Sequence, residues 1–151
     1  MFGKKFSEYI QFQKWILILI VVVYALRLGL SLAGVPVSEA RWVSINLVLL
    51  VGLVYCSIAV QTRNFGGYKH LFGLLLVQIA FAHLLIALAI TLAVVTGTQN
   101  IYTTPEYSPT ANGATWGHAA LHVLAGFIAP LVSWAIGSII LFVTRRLKPG
   151  K

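Results

Sequence analysis

Arg27 is the residue whose position most needs a chemical reason. It lies inside an apolar run from Trp15 to about Ala33, roughly 6 residues, or about 9 Å of helical rise, from the end of that run. A charge at the centre of a membrane-crossing helix costs about 2.5–3.5 kcal/mol on insertion scales, so it must meet water, an anion or a partner group. Two roles fit. One is contact with an anionic, lipid or quinone head group. The other is snorkelling of the long side chain to the nearer head-group layer.

Histidines supply the second set of candidates. His118 and His122 are spaced i, i+4 in the fourth apolar run, which puts both rings on one helix face. That spacing suits a divalent metal when further ligands join, and Glu106 is the nearest acid in the chain. His118, His122 and Glu106 are therefore the candidate metal ligands. The residues between the two histidines are Ala119, Ala120 and Leu121, so the helical zinc-protease pattern is absent.

His83 stands deep in the third run, thirteen residues beyond His70. That interval is similar to the one in cytochrome b proteins, where histidines on neighbouring helices grip stacked haems. His83, His118 and His122 are the candidate ligands for a haem b. A second helix should then carry a matching pair, and the fourth run offers only His118 and His122. Depth also argues against a shared haem. His83 is 14 residues from Lys69 and His122 is 23 residues from Arg145, a difference worth about 13 Å of rise. This predicts that the two rings lie at different levels, and that His70 is an ordinary interfacial histidine.

A composite reading gathers these residues into one polar cavity. Arg27, Asn46, Thr91, His118 and His122 project to one half of the membrane, beneath a loop that carries Tyr102, Glu106, Tyr107 and Trp116. A quinone head group, a lipid head group or a metal fits such a cavity; so does a filled polar contact between helices. Other chemistry is missing. There is no glycine-rich phosphate loop and no nucleophile elbow. The only acids are Glu8, Glu39 and Glu106, and no Asp is present, so a carboxylate dyad or an acidic proton relay within the membrane has no ligands. The single cysteine, Cys56, reads as a small buried apolar residue.

The elements that position these groups follow from composition. Hydrophobic residues are 59% of 151 and charged residues 9%, with a mean hydropathy of +0.90. A soluble domain carries about 25% charged residues. The chain is therefore an all-α polytopic membrane protein, one domain built as a bundle of four transmembrane helices. The spans fall at about 15–33, 42–60, 71–95 and 119–143, and the only long loop at about 96–117. Each run suffices to cross a hydrocarbon core of about 30 Å, and helices satisfy the backbone inside it. The first run is long for a secretory leader and contains Arg27, so it reads as a retained span.

Net charge is +8, yet all basic residues but Arg27 and Arg41 sit in three segments: Lys4, Lys5 and Lys14; Arg63 and Lys69; Arg145, Arg146, Lys148 and Lys151. That is the signature of cytoplasmic anchoring rather than of a nucleic-acid face. It predicts cytoplasmic N- and C-termini in a plasma membrane of bacterial type, with the 96–117 loop outside. Residues 1–14 carry Phe2, Phe6, Tyr9, Ile10 and Phe12 among polar residues and suit a short helix in the interface.

Several faces invite partners. His118, His122, Ala125, Ala129 and Ser133 form one stripe of the fourth span, with Gly137 at its margin. Gly73, Ala80, His83, Ala87 and Thr91 form one on the third. Small residues four apart allow close helix approach, so the stripes are expected to pack together. Pro130 is expected to kink the fourth span. Gln78 lies opposite the third-span stripe, and Ala25, Gly29 and Ala33 form another small-residue row; both suggest further interfaces. The expected role is a non-catalytic subunit or oligomer-forming component of a membrane complex, with the lipid bilayer and copies or other subunits as partners. The alternatives are a haem b or quinone-associated electron carrier and a small transporter or channel.

Overall fold

The structure is a computed structural model that describes residues 1–108 and 112–147. Lys148 and Lys151, used above for the basic tail, lie outside the described residues. Regular structure among the described residues is helical: α1 (Phe6–Phe12), α2 (Lys14–Leu32), α3 (Val37–Ala40), α4 (Ile45–Thr62), α5 (Tyr68–Thr96) and α6 (Trp116–Leu147), with a 3-10 turn at Pro105–Tyr107. Four helical segments are long and apolar enough to cross a membrane. Large apolar side chains such as Leu84, Leu88, Ile139 and Phe142 point outward along them. An apolar surface this extensive suits lipid, because water-facing monomers rarely expose apolar patches beyond a few hundred Å².

The spans match the expected ones with shifted ends. The second begins at Ile45 rather than Trp42, because the Ser44 hydroxyl accepts the Leu47 N–H and caps the helix. Trp42 is left exposed in the turn after α3. α5 ends at Gly97, whose φ of 71° is the left-handed stop that glycine adopts without strain. α6 continues through Pro130 to Leu147.

α5 and α6 form the most extensive helix contact in the bundle. Gly126 permits it: a methyl group there would meet the His83 Cβ at 3.2 Å and the Ala80 Cα at 3.3 Å. The expected stripes thus pack together in the region of Ala80 and His83. Gly73 serves a different contact, since it lies against the Tyr9 ring of α1. Gln78 also departs from expectation. It faces inward, fully buried beside Gly52 of α4, rather than toward a second interface.

Lys4, Lys5, Lys14, Arg63, Lys69, Arg145 and Arg146 gather at one end of the bundle, which we call the basic end. α1 docks there. Tyr9 is buried against Phe65 and His70, with ring centroids 5.4 and 6.4 Å away. Gln13 donates to the Leu74 carbonyl at 3.1 Å, and Arg145 donates to the Gln61 amide oxygen at 3.0 Å.

The loop end is closed by residues 97–108 and 112–115. Asn100 anchors them: its side-chain amide donates to the Ala89 carbonyl at 2.8 Å and accepts the Tyr102 N–H at 3.0 Å. This turns Ile101 and Tyr102 inward as buried residues.

Candidate functional site

Arg27 and the loop meet directly. The α2 helix carries Tyr24 and Arg27 on the face turned to the loop, and Tyr24 stacks on Tyr102 at 5.8 Å. The Arg27 guanidinium lies over the Tyr102 ring at 5.3 Å and the Tyr107 ring at 4.6 Å. Arg27 is 6% exposed. Its Nε has no hydrogen-bond partner, and neither does the Tyr102 hydroxyl. The one ion pair among the described residues, Lys4 with Glu8, is at the other end of the bundle. Ring faces attract the cation by about 0.5–2 kcal/mol, but they leave its N–H groups unused. Burial raises the Tyr102 phenol well above its usual range, against the opposing pull of Arg27. It is a neutral donor at physiological pH.

His83 and His122 are in contact. Their Nδ1 atoms are 3.1 Å apart and their ring centroids 5.3 Å. The expected difference in depth is therefore absent. The reason is register: Gly137, not Arg145, lies against Leu71 and Leu75. The eight residues from Gly137 to Arg145, about 12 Å, run on past the start of α5. Counting from basic residues treated two unequal overhangs as equal.

The Nδ1–Nδ1 contact needs one ring to donate and the other to accept. His118, one turn before His122, stands 5.1 Å from it ring to ring. Its Nδ1 donates to the Gly113 carbonyl at 2.8 Å, which holds the ring and leaves Nε2 facing away from that bond.

These groups line one small cavity. Arg27, Asn46, His83, Tyr102, Tyr107 and His122 surround about 120 Å³, walled by Ile45, Leu49 and Ile86. A second cavity of about 240 Å³ continues past Tyr107 and His122 to His118. The predicted polar cavity thus has Arg27, Asn46, Tyr102, Tyr107 and His122 on its wall, and His118 on the adjoining one. Thr91 is half-buried two turns farther along α5 and lines neither. Trp116 is exposed. His83 is the addition that sequence reasoning placed elsewhere.

The cofactor readings meet this geometry differently. A haem held by His83 and His122 must lie between the rings, and the rings touch. α5 and α6 pack too closely at Gly126 to admit a porphyrin, so these residues do not fit a shared haem. Glu106 is exposed on the 3-10 turn. Among the described residues no three His, Cys, Asp or Glu groups stand together as a metal site. Arg27 also shares the cavity, and its charge opposes a cation.

No family matches the chain, and the search found no similar curated protein and no similar solved structure. His70 is placed apart from the site, accepting the Gly67 N–H at 3.2 Å.

Proposed function

We propose that the chain is a non-catalytic membrane binding component that holds a compact, oxygen-bearing head group at Arg27. One observation carries this reading: a buried guanidinium, without acid or hydrogen-bond acceptor, opens into a cavity lined with donors. A cation in that position costs about 2.5–3.5 kcal/mol, and an oxyanion or a polarised carbonyl oxygen offsets it with charge-assisted hydrogen bonds. Tyr102 and the histidine pair supply further donors. By the distribution of basic residues, the basic end faces the cytoplasm and the loop end the outside of a plasma membrane.

Native mass spectrometry of gently solubilised protein tests this. The wild type should carry a small bound mass that Arg27→Gln loses. Equal, ligand-free spectra from both proteins, unchanged by added carboxylates or quinones, overturn the reading.

A second reading, self-association, is supported by α2. Ala25, Gly29 and Ala33 form an exposed row, and a methyl group at Gly29 would meet nothing within 4 Å. Such a row lets a second helix approach closely. A Gly29→Leu variant that keeps the wild-type mass in mild detergent removes this reading.

A further inference from the structure

The polar cavity adjoins a groove that faces lipid. Asn46, Leu49 and His83 line both. The groove runs between α4 and α6, encloses about 310 Å³ and is floored by α5. Ile79 of α5 is its buried floor, Leu53 is buried on the α4 wall, and Leu50 and Ile136 are its exposed rims. From Asn46 to Leu53 it follows α4 for about 10 Å. Its lining is mostly apolar, whereas the cavity at its end holds Arg27 and the histidine pair. Asn46 stands exposed at the junction, on a membrane-spanning helix. An amide facing hydrocarbon alone is unfavourable there.

We infer that the ligand is an amphiphile, with a compact oxygen-bearing head in the Arg27 cavity and one apolar chain in the α4–α6 groove. The inference rests on the head-group reading above and adds the ligand class and its route. Two independent features point to it. Arg27 and Tyr102 both line the cavity, both are more than nine-tenths buried, and each keeps a polar atom without a hydrogen-bond partner. The apolar groove shares Asn46, Leu49 and His83 with that cavity and has exposed rims that face the bilayer. Residues 101–107 roof the polar part, so an approach from the groove admits a head group without lifting the loop. Asn46 at the junction offers a hydrogen bond to the head as it enters. A fatty-acid carboxylate and a prenylated quinone share this chemistry, in which oxygen acceptors sit on a single tail. A freely soluble anion, entering past Tyr107, needs no groove.

The probe is palmitic acid with a photoreactive diazirine at mid-chain, added to the full chain in phosphatidylcholine nanodiscs. Saturable labelling is expected on α4 between Asn46 and Leu53 and on α6 between Ala129 and Ile136. Arg27→Gln should weaken saturable labelling about tenfold or more, the loss of one charge-assisted contact. Leu50→Trp, at the exposed rim, should displace the label from the groove while the fold is kept. Competition by palmitate alone identifies an anionic head; competition by a decyl-tailed benzoquinone as well identifies a neutral oxygen head. Equal competition by a trimethylammonium amphiphile overturns the inference. Saturable, Arg27-dependent labelling spread evenly over the lipid-facing helices overturns the groove and leaves the head-group reading standing. Labelling that is nowhere saturable or Arg27-dependent removes both.

Discussion

His83 and His122, 39 residues apart in the chain, meet Nδ1 to Nδ1 at 3.1 Å across the α5–α6 interface. Because the bond needs an acceptor nitrogen, replacing one ring strands the other. His83→Leu and His122→Leu should each destabilise the protein by about 1–3 kcal/mol. The double variant should cost less than the sum, with a coupling of about 0.5–2 kcal/mol in a two-variant cycle. Strict additivity in denaturation measurements contradicts the contact.

Arg27 should show opposite effects on stability and on binding. Two aromatic faces offset only part of its insertion cost when each returns about 1 kcal/mol, and its N–H groups return nothing without a ligand. Ligand-free Arg27→Met should therefore be about 1 kcal/mol more stable than ligand-free wild type, while head-group binding is lost. A clear drop in the melting temperature of the ligand-free variant means that Arg27 has a structural partner instead.

Gln78 is fully buried, and neither its amide oxygen nor its nitrogen has a partner. Gln78→Leu removes two unsatisfied polar groups and keeps the approximate volume. The variant should gain about 1–3 kcal/mol, read as resistance to thermal unfolding in detergent. A loss of stability points to a water molecule bridging Gln78 to the bundle.

Topology is open to cysteine labelling. Cys56 is buried, so Cys56→Ser gives a silent background. Cysteine placed at Arg63 should react with a membrane-impermeant maleimide only after the cells are opened. Cysteine at Gln99, in the exposed part of the loop, should react in intact cells. The reverse pattern inverts the proposed orientation.

The docking of α1 should depend on acid. Glu8 accepts the Lys5 N–H at 2.7 Å and pairs with Lys4 at 3.3 Å. The backbone hydrogen bond, aided by Lys4 and Lys5, holds its carboxyl below the ordinary range. Its folded value is depressed, so its contribution is present above the ordinary carboxylate range and lost as pH falls through the lowered value. Protection factors across Phe6–Phe12, corrected for the intrinsic pH dependence of amide exchange, should fall as pH drops through the lowered carboxyl range. Glu8→Gln should remove that dependence.

Much of the bundle was legible in the chain. Arg27, Asn46, His122, Tyr102 and Tyr107 were assigned to one cavity from helix period and loop position, and all five line it. The helix ends shifted where local caps decided them, as at Ser44. Gln78 was not legible, because a face opposite one packing stripe points outward only on a helix packed on one side, and α5 is enclosed on several. Thr91 shares a stripe with His83 but stands too far along the helix to reach the cavity.

The sequence by itself determined the four apolar crossings and the basic end, since hydrocarbon thickness and the cost of burying charge act on each segment separately. Only the tertiary structure decided that His83 meets His122, that loop tyrosines cover Arg27, and that the polar cavity lies beside an apolar groove. Those relations depend on how far each helix slides past its neighbour. That sliding is set by close packing such as that of Gly126 against Ala80, a property of helix pairs that no single segment carries.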